Sequence, residues 1–331
     1  MAAFARRFAP LAKRSGKRCP PRQNASLPGA GQRGRGLRGP LCRALTPETR
    51  NLAMTKTYVR ALTIAGSDSC GGAGIQADLK TFAALGCYGM SAITAVTAQN
   101  TQGVQAIAAV PPDVVRAQIE AVLADPGVDV IKIGMLFSSS LIRTVAQCLQ
   151  KCVGGTPLVL DPVMVAQSGD SLLENDAVTA LREALIPLAT LMTPNLPEAE
   201  KLLARPIGAE DMAGAAQELA ALGCPNVLLK GGHLEGADCD DVLFLGEAKR
   251  TLRFPGRRIA TKNDHGTGCT LSSAIASGLA RGLPLEDAVR QGKAYLSAAL
   301  SAGAAYRLGQ GHGPVHHFYA FFPDSPGKER A

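Results

Sequence analysis

The segment Thr261-Lys262-Asn263-Asp264-His265-Gly266-Thr267-Gly268-Cys269-Thr270, running on into LSSAIASGLARG, places glycines, a thiol and a helix start side by side. Gly266 and Gly268 let the backbone turn its N–H groups toward one point. Leu271, Ile275 and Leu279, flanked by Ala274 and Gly278, carry a 3.6-residue period, so a helix follows. A helix N-terminus entered through glycine is an anion site, because its first N–H groups lack intrahelical acceptors and the dipole adds to them. Cys269 falls in that first turn, where a thiolate is favoured and is suited to accept a proton from a substrate hydroxyl. A small residue packed at a tight helix start explains Cys269 equally well.

A second constellation is Asn195-Leu196-Pro197-Glu198, just after a strand-like run. Asn195 suits an N-cap and Glu198 falls at N3, which is a capping box. Beside an anion site the same Glu198, with Asp161, also suits Mg²⁺, which takes one or two carboxylates together with water and phosphate oxygens. Other motifs are missing. The chain has no GxxxxGK[ST] loop, no GxSxG and no zinc spacing. The glycines of Gly66-Ser67-Asp68-Ser69-Cys70-Gly71-Gly72-Ala73-Gly74 do not spell GxGxxG. His233 reads as a loop histidine and His265 as a neighbour that tunes Cys269 rather than as a base. His312, His316 and His317 sit in a Gly-rich tail with no other metal-ligating residue beside them.

The elements that must position these residues alternate in texture. Strands are expected near 59–65, 90–97, 128–133, 157–161, 189–193 and 226–230. Helices are expected near 74–85, 112–124, 139–150, 175–186, 195–204, 211–222, 267–281 and 285–302. Apolar strands alternating with helices argue for a parallel sheet covered on both faces. The runs 241–245 and 251–259 read as an antiparallel edge. In such sheets ligands bind beyond the carboxyl ends of the strands. Those ends are Gly66-Ser67-Asp68, Gln99-Asn100, Gly134-Met135, Asp161-Pro162-Val163, Thr193-Pro194-Asn195 and Lys230-Gly231-Gly232.

Of 331 residues, 46% are hydrophobic and 19% charged, enough for a large core and against global disorder. No run of 18 apolar residues is present, so no membrane span is expected. The net charge of +8 is unevenly placed. Residues 1–55 hold 12 of the 35 Lys and Arg and one acid, Glu48, leaving 23 basic against 26 acidic residues in the remainder. We therefore expect a disordered basic extension over 1–55 and one globular domain over 56–331. The extension reads as an over-extended start with Met54 as the initiator, an organelle transit peptide, a nucleic-acid-binding arm or a plain disordered tail. It lacks the apolar segment of a secretory signal. Nine scattered cysteines point to free thiols in a reducing compartment.

Strand–GSDSCGGAGIQAD–helix, then AVTAQNT, IKIGM, DPVMVAQSGD, TPNLPEAE, LLKGGH and KNDHGTGCTLSSAIA occur in this order. Together they closely resemble the hydroxymethylpyrimidine/phosphomethylpyrimidine kinases of thiamine biosynthesis, within the ribokinase-like superfamily. The resemblance spans residues 58–320. It implies a three-layer αβα sandwich around a mostly parallel sheet. It implies transfer of the γ-phosphoryl of ATP to the hydroxymethyl of 4-amino-5-hydroxymethyl-2-methylpyrimidine, then phosphorylation of the monophosphate to the diphosphate. Cys269 would be the base, where sugar kinases of the superfamily carry Asp. The N–H groups of Gly266, Thr267 and Gly268 would hold the transferred phosphoryl. Asn195 and Glu198 match the NxxE motif that organises Mg²⁺ and phosphates, with Asp161 assisting and Lys230 at the ATP phosphates. Gln99 would read the aminopyrimidine, with Gly66, Asp68, Met135 and Val163 lining the pocket and 164–172 as a flap.

Plainer readings stand beside these: a strand-to-loop turn for Gln99, a core position for Met135, and helix caps for Asp68 and Asp161. The alternative functions are a pyridoxal or pyridoxine kinase on the same fold, and a non-catalytic pyrimidine sensor. A cytoplasmic homodimer is expected by analogy alone, with ATP and the pyrimidine as its ligands. Membrane and nucleic-acid partners are not expected, and neither is a fused thiamine-phosphate synthase module.

Overall fold

The computed structural model describes residues 56–152, 155–164, 176–234, 236 and 238–322. The expectations for 1–55 and for 165–172 of the flap lie outside those residues. From Arg60 the chain runs β1 (Arg60–Asp68), α1 (Gly74–Ala84), β2 (Tyr88–Asn100), β3 (Gly103–Ala109), α2 (Pro112–Ala124), β4 (Val130–Ile133), α3 (Ser139–Leu149) and β5 (Leu158–Leu160). It continues through α4 (Ala177–Ala180), β6 (Leu191–Met192), α5 (Leu196–Leu203), α6 (Met212–Ala220), β7 (Asn226–Leu229), β8 (Asp241–Leu245), β9 (Arg250–Phe254), α7 (Thr267–Ala280) and α8 (Leu285–Gly303). These strands form one sheet in the order β3-β2-β1-β4-β5-β6-β7-β8-β9. β1, β2 and β4 to β7 are parallel. β3, β8 and β9 are antiparallel additions at the two edges.

The side-chain period of two makes each central strand serve two cores. Leu62, Ile64, Ile131, Ile133, Leu158, Leu160, Met192, Val227 and Leu229 pack against α2, α3, α5 and α6. Ala61, Val130, Val159, Leu191 and Leu228 pack against Phe82 of α1, Leu271 and Ile275 of α7, and Val289 of α8. Helix α7 is buried from Thr270 through Gly278. Its small residues permit this: a Cβ on Gly278 would lie 2.9 Å from Ala288 of α8.

Two expectations are corrected, and one strand is added to those expected. Strand β3 was not foreseen, since GVQAIAA is mostly exposed and its alanines carry little alternation. The expected strand 251–259 stops at Phe254, because Pro255 has no N–H for the ladder. The expected helix 175–186 is regular only over Ala177–Ala180, then widens to a π turn over Leu181–Leu185 and tightens to a 3₁₀ turn ahead of β6. Pro187 has no N–H with which to continue it.

After α8 the chain returns as a strap across the carboxyl ends of the strands. Thr101, in the β2–β3 turn, accepts from the N–H of His312 (2.8 Å) and, through Oγ1, from Gln310 and Gly311 (each 3.2 Å). Gly313 donates to Lys262 (3.1 Å) and accepts from the His265 N–H (3.0 Å). His317 reaches under α7, where its Nε2 lies 3.1 Å from the Thr270 hydroxyl. That hydroxyl gives its one proton to the Gly266 carbonyl (2.8 Å), so the imidazole is the donor.

Candidate active site

Gly266 makes the turn into α7 with φ +82°, and a Cβ there would overlap the Gly72 carbonyl. Only glycine meets both demands. The Thr267 N–H is directed back to Asp264 at 3.3 Å. The Gly268 and Cys269 N–H groups follow in the first turn, where a helix offers no acceptor of its own. The loops before α1 and α7 are stapled together by Asp68. Its carboxylate accepts from the N–H groups of Cys70 (2.8 Å), Gly72 (2.9 Å) and Ala73 (2.8 Å), and lies 2.9 Å from His265 Nε2. Asp68 borders the cavity, yet its oxygens are engaged by its own loop and by His265. Burial opposes its charge, but His265 and the N–H donors hold its pKa below the usual value.

Cys269 lies at the α7 N-terminus with the Gly74 N–H of α1 directed at its sulfur. The position at a helix N-terminus predicts a favoured thiolate here. Burial overrides that expectation and pushes the thiol up to about 11, against the pull of Lys132. The group at rest is the thiol.

Asp161 and Lys230 form a buried ion pair at 2.9 Å. Asp161 also accepts from the hydroxyls of Thr193 and Ser272, each at 3.2 Å. A Cβ on Gly268 would lie 3.3 Å from Lys230 Nζ and 3.6 Å from Asp161 Oδ2, so the glycine turn abuts this pair. Glu198 completes the capping box: Asn195 Oδ1 accepts from the Glu198 N–H (2.9 Å), and Glu198 Oε2 accepts from the Asn195 N–H (2.8 Å). Burial, and then the nearby Asp161 charge, raise Glu198 to about 7 despite Lys230. Among the described residues no three His, Cys, Asp or Glu side chains form a metal cage. Asp161 and Glu198 beside a phosphate-facing turn fit a hard cation that takes its other ligands from phosphate and water.

All of these groups line one cavity of about 980 Å³. Toward β2 and β4 its wall is apolar: Met135 packs with Ala95 and the partly buried Val163, and a Cβ on Gly66 would lie 2.7 Å from Met135 Cε. Gln99 borders this end, its Oε1 accepting from Thr97 Oγ1 at 3.1 Å and its N–H held by Ser69 Oγ at 2.8 Å. Every residue expected at the site therefore lines the same cavity, Asn195 included, although its side-chain oxygen is spent on the cap of α5.

Two further groups of lining residues carry no chemical motif in the sequence. Beyond β7 the cavity is walled by His233, Leu234, the 256–261 loop and the α8 residues Leu296 and Leu300. Arg258 ties this wall together through the carbonyls of Leu234 (2.6 Å) and Gly236 (3.1 Å). No motif marks that loop. The other is Lys132, wholly buried on β4 and bound to Asp78 of α1 at 2.9 and 3.0 Å.

Residues 68–316 match the family described as phosphomethylpyrimidine kinase. The chain belongs to the phosphomethylpyrimidine kinase family. It is similar to a hydroxymethylpyrimidine/phosphomethylpyrimidine kinase of Rhizobium meliloti, 53% identical over 80% of this chain and 98% of that one. Among solved structures it resembles the phosphomethylpyrimidine kinase of Clostridium difficile (44% identity, TM-score 0.63, 72% of this chain and 97% of that one). It also resembles the ADP complex of Bacillus subtilis pyridoxal kinase (36% identity, TM-score 0.71, 79% of this chain and 98% of that one). The fold of this phosphomethylpyrimidine kinase family member is the ribokinase-like αβα sandwich that its motifs imply.

Proposed function

We propose that the chain phosphorylates 4-amino-5-hydroxymethyl-2-methylpyrimidine with ATP, and then the resulting monophosphate, supplying the diphosphate for thiamine biosynthesis. One observation carries this: a glycine-entered helix N-terminus bearing Cys269 opens onto the same cavity as the apolar Met135–Val163 slot and Gln99. A flat neutral heterocycle needs such a slot and one amide to set its orientation. Phosphoryl transfer needs positioning and oriented donors more than covalent help.

In this reading the wall of His233, Leu234, 256–261 and α8 takes the nucleoside end of ATP. Lys230 and the Gly268 and Cys269 N–H groups take the phosphates. Asp161 and Glu198 hold Mg²⁺, which when bound neutralises phosphate charge. The substrate hydroxymethyl oxygen forms the new bond to the γ-phosphorus as the bridging bond to ADP breaks. Its proton passes to the Cys269 sulfur in thiolate form. Gly66 gives the ring room beside Met135, and Asp68 holds the two loops in register.

The test is steady-state phosphorylation of the pyrimidine and of pyridoxal. A pyrimidine preference in kcat/KM supports the reading, and a tenfold pyridoxal preference overturns it. The pyridoxal reading keeps a place because the B. subtilis neighbour on this fold is a pyridoxal kinase. A sensor without turnover is disfavoured by the joint presence of Cys269, Lys230 and the glycine turn.

We further propose a cytoplasmic homodimer whose kinase unit is residues 56–331. The outer face of the β2–β3 hairpin exposes Val96 and Ala98 opposite Ala108 and Ala106, an apolar strip suited to a second copy. Among the described residues no helix is long and apolar enough to cross a membrane. Deletion of residues 1–55 is expected to leave kcat/KM within twofold. A larger loss would place part of the kinase unit in the extension.

A further inference from the structure

Strand β4 reads Val130-Ile131-Lys132-Ile133 and is buried at every position. Lys132 therefore occupies an inward site on the α1 and α7 face where its strand-mates put apolar residues. The ammonium bonds both oxygens of Asp78. Asp78 is itself buried and accepts from Thr63 Oγ1 of β1 (2.6 Å) and Ser273 Oγ of α7 (2.7 Å). Four elements thus fix one charge. A buried ion pair is a weak source of stability, since well-packed apolar residues commonly do as well. The cost of burying it calls for another explanation, and the location supplies one. Lys132 Nζ borders the active-site cavity, 3.0 Å from where a Cβ on Gly134 would lie. Ser273, which grips Asp78, sits one helical turn after Cys269.

Resting on the reading of Cys269 as the base, we propose that Lys132 is a positioning residue whose fixed charge compensates the Cys269 thiolate during proton transfer. Asp78 aims that ammonium and keeps it from the substrate. The charges facing Cys269 are Lys132 from β4, Asp78 from α1, Asp161 from the end of β5, and Lys230 from the end of β7. Asp78 and Asp161 oppose the thiolate. Lys230 is committed to Asp161 and faces Glu198. Lys132 is the cation that most strongly favours the thiolate.

The two halves of the pair should then act on Cys269 in opposite directions, which a purely structural pair would not do. The experiment measures iodoacetamide alkylation of Cys269 against pH in the unliganded full chain, read peptide by peptide by mass spectrometry. Lys132→Met should raise the alkylation midpoint by at least one pH unit, and Asp78→Asn should lower it. Lys132→Arg should stay within half a unit of wild type. Lys132→Met should also lower kcat at pH 7.5 at least 30-fold, with KM for the pyrimidine within threefold. Midpoints that move together, or do not move, overturn the proposal. If a single variant does not fold, Lys132→Met/Asp78→Leu carries the test: a raised midpoint supports the proposal, and an unmoved or lowered one overturns it. Alkylation needs no turnover, so it separates this proposal from the base assignment. If Cys269→Ala keeps full turnover, the base assignment fails whatever the midpoints show.

Discussion

At the scale of single residues, the decisive quantity is the protonation of Cys269. With its thiol at about 11, the proton-accepting form is scarce near neutrality. Each pH unit below that value removes the thiolate tenfold. Turnover is therefore expected to rise with pH from 7 to 9, with a slope near one in log kcat. Cys269→Asp should flatten that rise, because a carboxylate ionises at lower pH. A wild-type profile already flat over this range would remove Cys269 from the proton path. Glu198 invites a different substitution. Its side chain both caps α5 and faces Lys230, and Gln caps as Glu does. Glu198→Gln should keep the melting temperature within about 2 °C of wild type, a stability change under about 0.5 kcal/mol, while kcat at pH 8 falls at least tenfold. An unchanged kcat would leave Glu198 as a cap only.

At the scale of elements, the site depends on how closely two loops approach. Gly266 fits between the Gly72 carbonyl and its own left-handed turn. Gly266→Ala should cost about 2–3 kcal/mol in urea unfolding, from backbone strain and displacement of the neighbouring loop. It should also lower kcat, because the N–H groups it aims would move. Much at this scale was legible in the sequence. The glycine turn, the helix after it and the capping box are local patterns, and the structure forms each where the residues predict. Lys132 was not legible, because its place inside depends on a countercharge that VDVIKI does not contain. That partner, Asp78, is 54 residues away on another element. The 256–261 wall was missed because nothing in GRRIAT marks a cavity wall. The expected thiolate failed for a related reason: a helix N-terminus is readable from spacing, whereas the burial that opposes it is a property of the packed chain.

At the scale of the whole molecule, the buried His317 makes folding sensitive to acid. Burial, with Lys80 and His316 nearby, lowers it from 6.5 to about 3. A depressed value means that the fold holds the neutral ring. The stability it contributes is complete above pH 6.5 and is lost as pH falls from there toward 3. Between pH 7 and 4.5 the unfolding free energy should drop by about 2–3 kcal/mol from this group. Replacement by glutamine, which keeps a donor toward Thr270, should shrink that drop. Urea midpoints at the two pH values decide it, and equal acid sensitivity in both proteins would assign the loss to other groups. The alternation of strands and helices made the sandwich readable, while the strap that brings His317 under α7 carries no sequence pattern.

That strap also sets a schedule. Thr267 opens the catalytic helix, but the residues that fasten its entry turn end at His317, 50 positions later. At about 5–20 residues per second, a ribosome needs about 3–10 s more to deliver them. A nascent chain can therefore already hold its glycine turn and its cysteine while lacking the residues that tie them to the β2–β3 turn. The entry turn then waits for residues 310–317, and a chain stopped between α8 and Gln310 would carry the glycine turn and the cysteine without the contacts that fasten them.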